Sequence, residues 1–285
     1  MYVVTGATGQ LGRLVIERLL KIVPASQIVA AVRSPEKAAD LIALGVHVRH
    51  ADYSRPETLD SAFKGAEKLL LISSSEVGQR ARQHQAVIDA AKRGAVQLLA
   101  YTSVLHADTS PLSLAEEHRQ TEAALKDSGL PFVLLRNGWY TENYTASIPA
   151  ALAHGAVLGC AGDGRISSAP RADYADAAVA VLTTQEPQAG RTYELAGDDA
   201  YTLTEFAAEL SRQTGQAVGY VDLPQADFEA ALVEAGLPGF VATLLADSDA
   251  GASKGALFDD GHQLSGLLGR TSVTLAQTIA AALKN

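Results

Sequence analysis

Met1-Tyr-Val-Val-Thr5 is a short apolar run that passes directly into Gly6-Ala7-Thr8-Gly9-Gln10-Leu11-Gly12, three glycines at three-residue spacing ahead of an amphipathic stretch. Glycine is needed where backbone turns sharply and approaches a ligand closely, and the N-terminus of the helix that follows offers N–H groups suited to a pyrophosphate. With 24 glycines in the chain, spacing alone says little and context decides. Here a strand precedes the turn. Leu11, Leu14, Val15, Leu19 and Ile22 mark one face of a helix after it, and a second β-branched run starts at Ile28. A strand, a phosphate-binding turn and a helix are therefore expected at the start of the chain.

The same alternation continues. Strands are expected at 2–5, 28–33, 46–50, 68–73, 96–102 and 132–136, and helices at 11–22, 35–44, 56–64, 79–93 and 114–128, the pattern of a parallel sheet covered on both faces. Ser34-Pro35 and Ser54-Arg55-Pro56 read as helix starts, and Gly45, Gly65, Gly94 and Gly129 as helix ends. The fold class is α/β: a Rossmann-type doubly wound parallel sheet, with a smaller C-terminal α/β substrate lobe. We expect the nucleotide domain at 1–136 and mainly substrate-lobe segments at 137–285, some of which can return to the sheet. In that half, Asp173 reads as the N-cap of a helix over 173–184, followed by a strand at 192–196 and a helix at 203–214 capped from Thr202 or Thr204. A strand at 218–223 and a helix at 225–235 come next, and the small, polar segment 246–255 reads as a surface loop. A net charge of −9 argues against nucleic acid and against anionic membranes, and no apolar run is long enough to span a bilayer. Cys160 is the one cysteine, which excludes an intrachain disulfide and a cysteine-based metal site. The first strand leaves no room for a leader, so a cytoplasmic location is expected.

A carboxylate at the end of the second strand receives the ribose hydroxyls of NAD; this chain has Arg33 there, which suits the 2′-phosphate of NADP. NADPH is favoured over NADH, with both still usable, and Lys37 is a second candidate contact. Asp52 can meet the adenine or cap the helix near Pro56, and Ser73-Ser74-Ser75, after the fourth strand, can face the ribose or pyrophosphate. The glycine spacing, one residue longer in its first interval than the ordinary dinucleotide fingerprint, is typical of short-chain and extended-type reductases. In the usual short-chain reductases a Tyr-x-x-x-Lys pair supplies a proton, yet none of the nine tyrosines here has a lysine four positions on. His118 and Glu122, one turn apart after the fifth strand, can form a proton-handling pair or an ordinary exposed pair. Thr102-Ser103 can line a nicotinamide pocket, and the run Arg136 to Tyr144 combines aromatic faces with amides suited to a flat ring and its carbonyls.

Thr5–Gly12, Leu70–Ser75, Tyr101–Ser103, Leu135–Tyr140 and Asp247–Gly255 together resemble the NmrA-like atypical short-chain reductases over essentially the whole length, and among them the flavin-free NAD(P)H:quinone oxidoreductases. The resemblance implies that Gly6, Ala7, Thr8, Gly9, Gln10, Leu11, Arg33, Ser73, Ser74, Ser75, Asn137, Gly138, Trp139, Tyr140, Thr141 and Glu142 bind the dinucleotide, with Ala169–Arg171 closing over it. It also implies direct two-electron hydride transfer from NADPH to a quinone, with no flavin and no metal. A quinone is already electrophilic and its reduced oxyanion is delocalised, so the missing proton donor is tolerable. Tyr140 as a catalytic group, with Asn143, Tyr144 or a water near His106, can orient the carbonyls. A dinucleotide-sensing regulator, or a reductase of dyes or activated double bonds, stays open beside this.

Overall fold

The structure, a computed structural model, describes residues 1–284. From the N-terminus, β1 (Tyr2–Thr5), α1 (Gln10–Leu19), β2 (Ile28–Val32), α2 (Ala39–Ala43), β3 (His47–His50), α3 (Pro56–Ala62), β4 (Lys68–Leu71), α4 (Arg80–Arg93), β5 (Leu98–Val104), α5 (Ala115–Ser128) and β6 (Phe132–Asn137) alternate. Then come α6 (Glu142–Thr145), α7 (Ile148–His154), β7 (Ala156–Gly159), α8 (Arg171–Thr183), β8 (Thr192–Leu195), α9 (Leu203–Thr214) and β9 (Gly219–Asp222). The helices α10 (Gln225–Glu234), α11 (Gly239–Ala252), α12 (Gln263–Leu268) and α13 (Leu275–Ala282) complete the chain. Two compact units result: residues 1–107, 116–137 and 171–193 form the first, and 108–115, 138–170 and 194 onward the second.

The first unit is built on a seven-stranded parallel sheet in the order β3-β2-β1-β4-β5-β6-β8, a Rossmann-like fold. All five residues of β2 are buried, as a strand covered by helices on both faces requires. The chain moves outward from β1 to β3 and then restarts on the other side of β1 with β4. Ligands of such sheets bind at this reversal, beyond the carboxyl ends of the strands. Around the reversal, Val3 is in register with Val29 on one side and Leu69 on the other. Helix α1 turns Leu11, Val15, Ile16 and Leu19 inward, and Arg18 Nε donates to Asp176 Oδ1 of α8 at 2.7 Å. The second unit carries a parallel pair, β7-β9, among its helices.

Several local expectations change. Ile22 lies beyond the end of α1 and is 58% exposed, so the apolar face of that helix stops at Leu19. Residues 35–44 are a 3-10 turn followed by a short helix, and neither Ser34 nor Ser54 caps a helix with its side chain. Asp52 is not a helix cap either; its Oδ1 accepts the Ser54 N–H at 2.9 Å, closing a local turn. Because α8 starts at Arg171, Asp173 lies inside its first turn, fully buried, rather than at the N-cap. Strand β5 runs on to Val104, which places Thr102 and Ser103 within the strand. The segment 246–255 is largely helical, not a surface loop: α11 continues to Ala252, and Ala246, Ser248, Asp249, Gly251 and Ala252 are buried. Small residues serve close packing there. A Cβ on Gly251 would lie 2.3 Å from Leu112 Cδ2, and one on Gly164 would lie 2.3 Å from the Ala252 carbonyl oxygen. Thr202 caps α9 in a reciprocal box with Glu205.

The glycine turn depends on backbone contact. Gly6 has φ +57°, and a Cβ on Gly12 would lie 2.3 Å from the Gly6 carbonyl oxygen and 2.7 Å from Ala7 Cα. Neither neighbour can yield without moving the turn. Gly12→Ala is therefore expected to cost about 1–3 kcal/mol in a urea melt and to abolish dinucleotide binding in a fluorescence titration. Gly9→Ala, whose Cβ would meet only the Gly6 oxygen at 3.2 Å, is expected to be milder on both counts.

Candidate active site

A cavity of about 320 Å³ opens at the reversal of the sheet in the first unit. The Gly6–Gly9 turn, Arg33, Asp52, Tyr53 and the Ser73–Glu76 segment line it. Helix α1 enters it with Gly9 at its N-cap and no side-chain cap, so its first N–H groups are left to the cavity end. Ala7 is buried under the turn, and Gln10 and Leu11 are the first two residues of α1. Arg33 follows β2 directly; its guanidinium is 68% exposed and pairs with the Glu76 carboxylate at 2.5 Å. Gln83 Nε2 donates to the other Glu76 oxygen at 2.7 Å, and these two contacts, Gln83 foremost, hold the Glu76 carboxyl below its ordinary range.

The serine segment is held by Thr102, which the sequence reading named for a nicotinamide pocket, and by His84 and Arg80, which it missed. Ser73 N–H donates to Thr102 Oγ1 at 2.9 Å, Ser74 N–H to His84 Nε2 at 2.9 Å, and Arg80 Nε to the Ser74 carbonyl at 2.7 Å. With Nε2 accepting, the His84 proton is on Nδ1, 3.0 Å from Thr121 Oγ1. Burial and the Arg80 charge push the His84 pKa down to about 3, so the ring is a neutral acceptor. Arg80, Gln83 and His84 share the buried stripe of α4 with Val87, Ile88 and Ala91. Polar residues at apolar positions of that helix were the signal available in the sequence. Tyr53, also on the cavity, has its hydroxyl 3.0 Å from the Ile72 carbonyl oxygen and within reach of Thr5 Oγ1.

His118 and Glu122 are not an exposed pair, and each is bonded to a different partner. Both are buried; His118 Nδ1 meets the Tyr101 hydroxyl at 2.7 Å, and burial drives its pKa well below the usual value. Glu122 takes two bonds from Arg136, Nε at 2.9 Å and Nη2 at 2.7 Å, and one from Ser103 Oγ at 2.7 Å. Ser103 is thus turned to Glu122. Asn137 ends β6 with its carbonyl bonded to Leu105 N–H at 3.0 Å, and His106, just past β5, has φ +52°, a region non-glycine residues rarely adopt.

The second unit gathers the rest of the candidates. Ala169 N–H donates to the Trp139 carbonyl at 3.2 Å and Thr141 N–H to the Ala169 carbonyl at 3.0 Å, so the Gly138–Thr141 run and Ala169 lie side by side, with Tyr140 bridged to Ala169. Thr141 Oγ1 is 2.8 Å from Ser168 Oγ. Glu142 and Asn143 open α6, and Arg171, in the first unit, opens α8. A cavity of about 400 Å³ lies beside α6 and α7, lined by Trp139, Asn143, Tyr144 and Asp249 among mainly aliphatic side chains. The buried Tyr144 hydroxyl donates to Asp249 Oδ1 at 2.8 Å, and Asp249 Oδ2 accepts from Cys160 N–H at 3.3 Å. Burial lifts the Asp249 pKa to about 6, more than these two bonds lower it.

A family model for NAD(P)H-binding proteins matches residues 6–185. Quinone oxidoreductase 2 of Escherichia coli is 60% identical over 280 residues, 98% of each chain. The chain belongs to the NAD(P)H-binding, NmrA-like family. Among solved structures, the E. coli NADPH-dependent quinone oxidoreductase in complex with NADPH superimposes with a TM-score of 0.97, at 60% identity and 100% coverage of both chains. The Citrobacter triphenylmethane reductase in complex with NADP(H) gives 0.95 at 38% identity, covering 99% of this chain and 100% of the other. Among the described residues, no helix is long and apolar enough to cross a membrane, and no three His, Cys, Asp or Glu side chains are grouped to hold a metal ion.

Asp249 gives a test in pH. Its folded pKa of about 6 lies above the unfolded value of 3.8, so the folded protein binds the extra proton between these limits and loses stability as pH rises through them. Relative to Asp249→Asn, the wild type should lose up to about 3 kcal/mol between roughly pH 4 and 6, with no further divergence above, in urea melts run across the range.

Proposed function

We propose that this chain is an NADPH-dependent quinone oxidoreductase that passes a hydride directly to its acceptor without a bound flavin or metal. The observation that carries this reading is the 60% identity, over 98% of each chain, with the E. coli quinone oxidoreductase. The cavity at the sheet reversal fits the cofactor: backbone N–H groups of the glycine turn and of α1 face a pyrophosphate, and Arg33 offers a fork to the 2′-phosphate. Ser73, Ser74 and Ser75, on the same cavity, would flank the ribose. When bound, NADPH supplies a hydride, which with one proton from water takes a quinone to its hydroquinone.

The protein's part is to bind, orient and exclude water. Tyr144 commits its proton to Asp249, so it presents a ring face, while the Asn143 amide can hydrogen-bond a quinone carbonyl. We assign Tyr140, two residues before α6, to the same positioning task. Cys160, a buried free thiol whose pKa burial raises to about 12, is inert and suits a cytoplasmic setting.

Purified protein, NADPH and a small benzoquinone are expected to consume one NADPH per quinone with no semiquinone signal and no response to added flavin. A flavin requirement would remove direct transfer, and cofactor binding without oxidation of any acceptor would favour a sensor. Removal of a charged phosphate contact is expected to raise the NADPH Kd of Arg33→Ala about ten- to hundredfold while leaving that of NADH nearly unchanged. Because Glu76 shares the Arg33 guanidinium, Glu76→Gln should tighten NADPH a few-fold, without effect on NADH, in the same titration.

A further inference from the structure

The cavity of the second unit has an unusual wall. Ala146, Ala150 and Ala151 from the α6–α7 region face Ala231 and Ala235 from the end of α10, where a packed interior would place larger side chains. Val157, Phe228, Leu232, Leu237 and Leu245 complete an almost wholly apolar surface. Ala150, His154 and Ala235 are exposed and Leu158 is 44% exposed, so the space opens to solvent. Water inside it would find few partners, because the Tyr144 hydroxyl and both Asp249 oxygens are already bonded within the protein. No Lys or Arg lines it, and its one carboxylate repels anions.

We propose that this cavity receives the apolar substituent of the acceptor, so that the preferred substrates are quinones with an uncharged alkyl or prenyl chain of several carbons. The inference rests on the quinone-reductase reading and specifies its substrate class. Asn143, on the same wall, is placed to hold the ring carbonyl while the chain lies among the alanines and leucines. Sulfonated quinones find no Lys or Arg there, only His154 at the exposed edge, and are repelled by Asp249.

A homologous series of alkyl-substituted benzoquinones tests this. The kcat/KM should rise with chain length, by at most about fourfold per methylene, and level off once the cavity is full. Ala150→Leu and Ala231→Leu should each lower kcat/KM for the decyl-substituted quinone about tenfold more than for the bare ring. Trp139, the one tryptophan, lines the cavity, so its emission should be quenched saturably by decylbenzoquinone without NADPH, and more weakly in both variants. A flat series with bare benzoquinone turned over normally overturns the subsite and leaves the quinone-reductase reading standing. If no quinone is reduced, that reading fails, and the emission titration still decides whether the cavity takes an alkyl chain. Variants that change self-association instead of the chain-length dependence would overturn the proposal in favour of a contact between copies.

Discussion

The hydroxyl of Thr5 ties together the strand ends on which the cavity of the first unit depends. Fully buried, it donates to the Leu70 carbonyl at 3.0 Å, accepts the Ile72 N–H at 3.0 Å and meets the Tyr53 hydroxyl. It therefore joins the last residue of β1 to the end of β4 where the sheet order reverses. The parallel ladder between these strands ends at Val4 and Leu70, and beyond it each chain must turn away without neighbours on the other. With Thr5 in place, the glycine turn and the serine segment leave the sheet at fixed points, and the cleft between them keeps one width.

Behind that cleft, the supporting groups are buried and mostly neutral. His84 accepts from Ser74 and passes its own hydrogen bond to Thr121, a chain of dipoles that orients backbone N–H groups without adding charge. The Arg33–Glu76 pair lies at the cavity rim, where solvent screens it, whereas the buried Arg80 guanidinium is bonded to the Ser74 carbonyl behind it. A dianionic phosphate arriving at Arg33 thus meets one tethered carboxylate competing for the same guanidinium. On the proposed reading, affinity for the phosphate would be the difference between two charge-assisted contacts, which a single residue can tune.

What could be read from the sequence was what local chemistry encodes. Three glycines at fixed spacing, an arginine instead of a carboxylate after β2 and serines after β4 each carry their meaning within a few residues. Thr202 as the α9 cap was legible for the same reason. Residues that act through distant partners were not. Tyr144 and Asp249 bond across 105 residues, and Arg136, His118 and Glu122 find their roles only once β5, β6 and α5 are side by side. The segment 246–255 misled because small polar residues favour turns when considered alone, whereas here they let α11 pack against Leu112 without a gap.

The inner face of α5 bears on why the tyrosine–lysine pair can be missing. His118, Thr121 and Glu122 point inward, and each has a fixed partner: Tyr101, His84 and Arg136 respectively. Burial keeps His118 without a proton to give at neutral pH, and the Glu122 carboxylate is clamped by a two-point guanidinium contact. Removing one partner from so buried a pair would leave an uncompensated charge, so this face is fixed structure rather than proton-transfer machinery. On the proposed reading, rate enhancement would come from positioning and from an acceptor that tolerates negative charge before it is protonated. A quinone meets that requirement because its ring delocalises the charge, and a simple ketone does not.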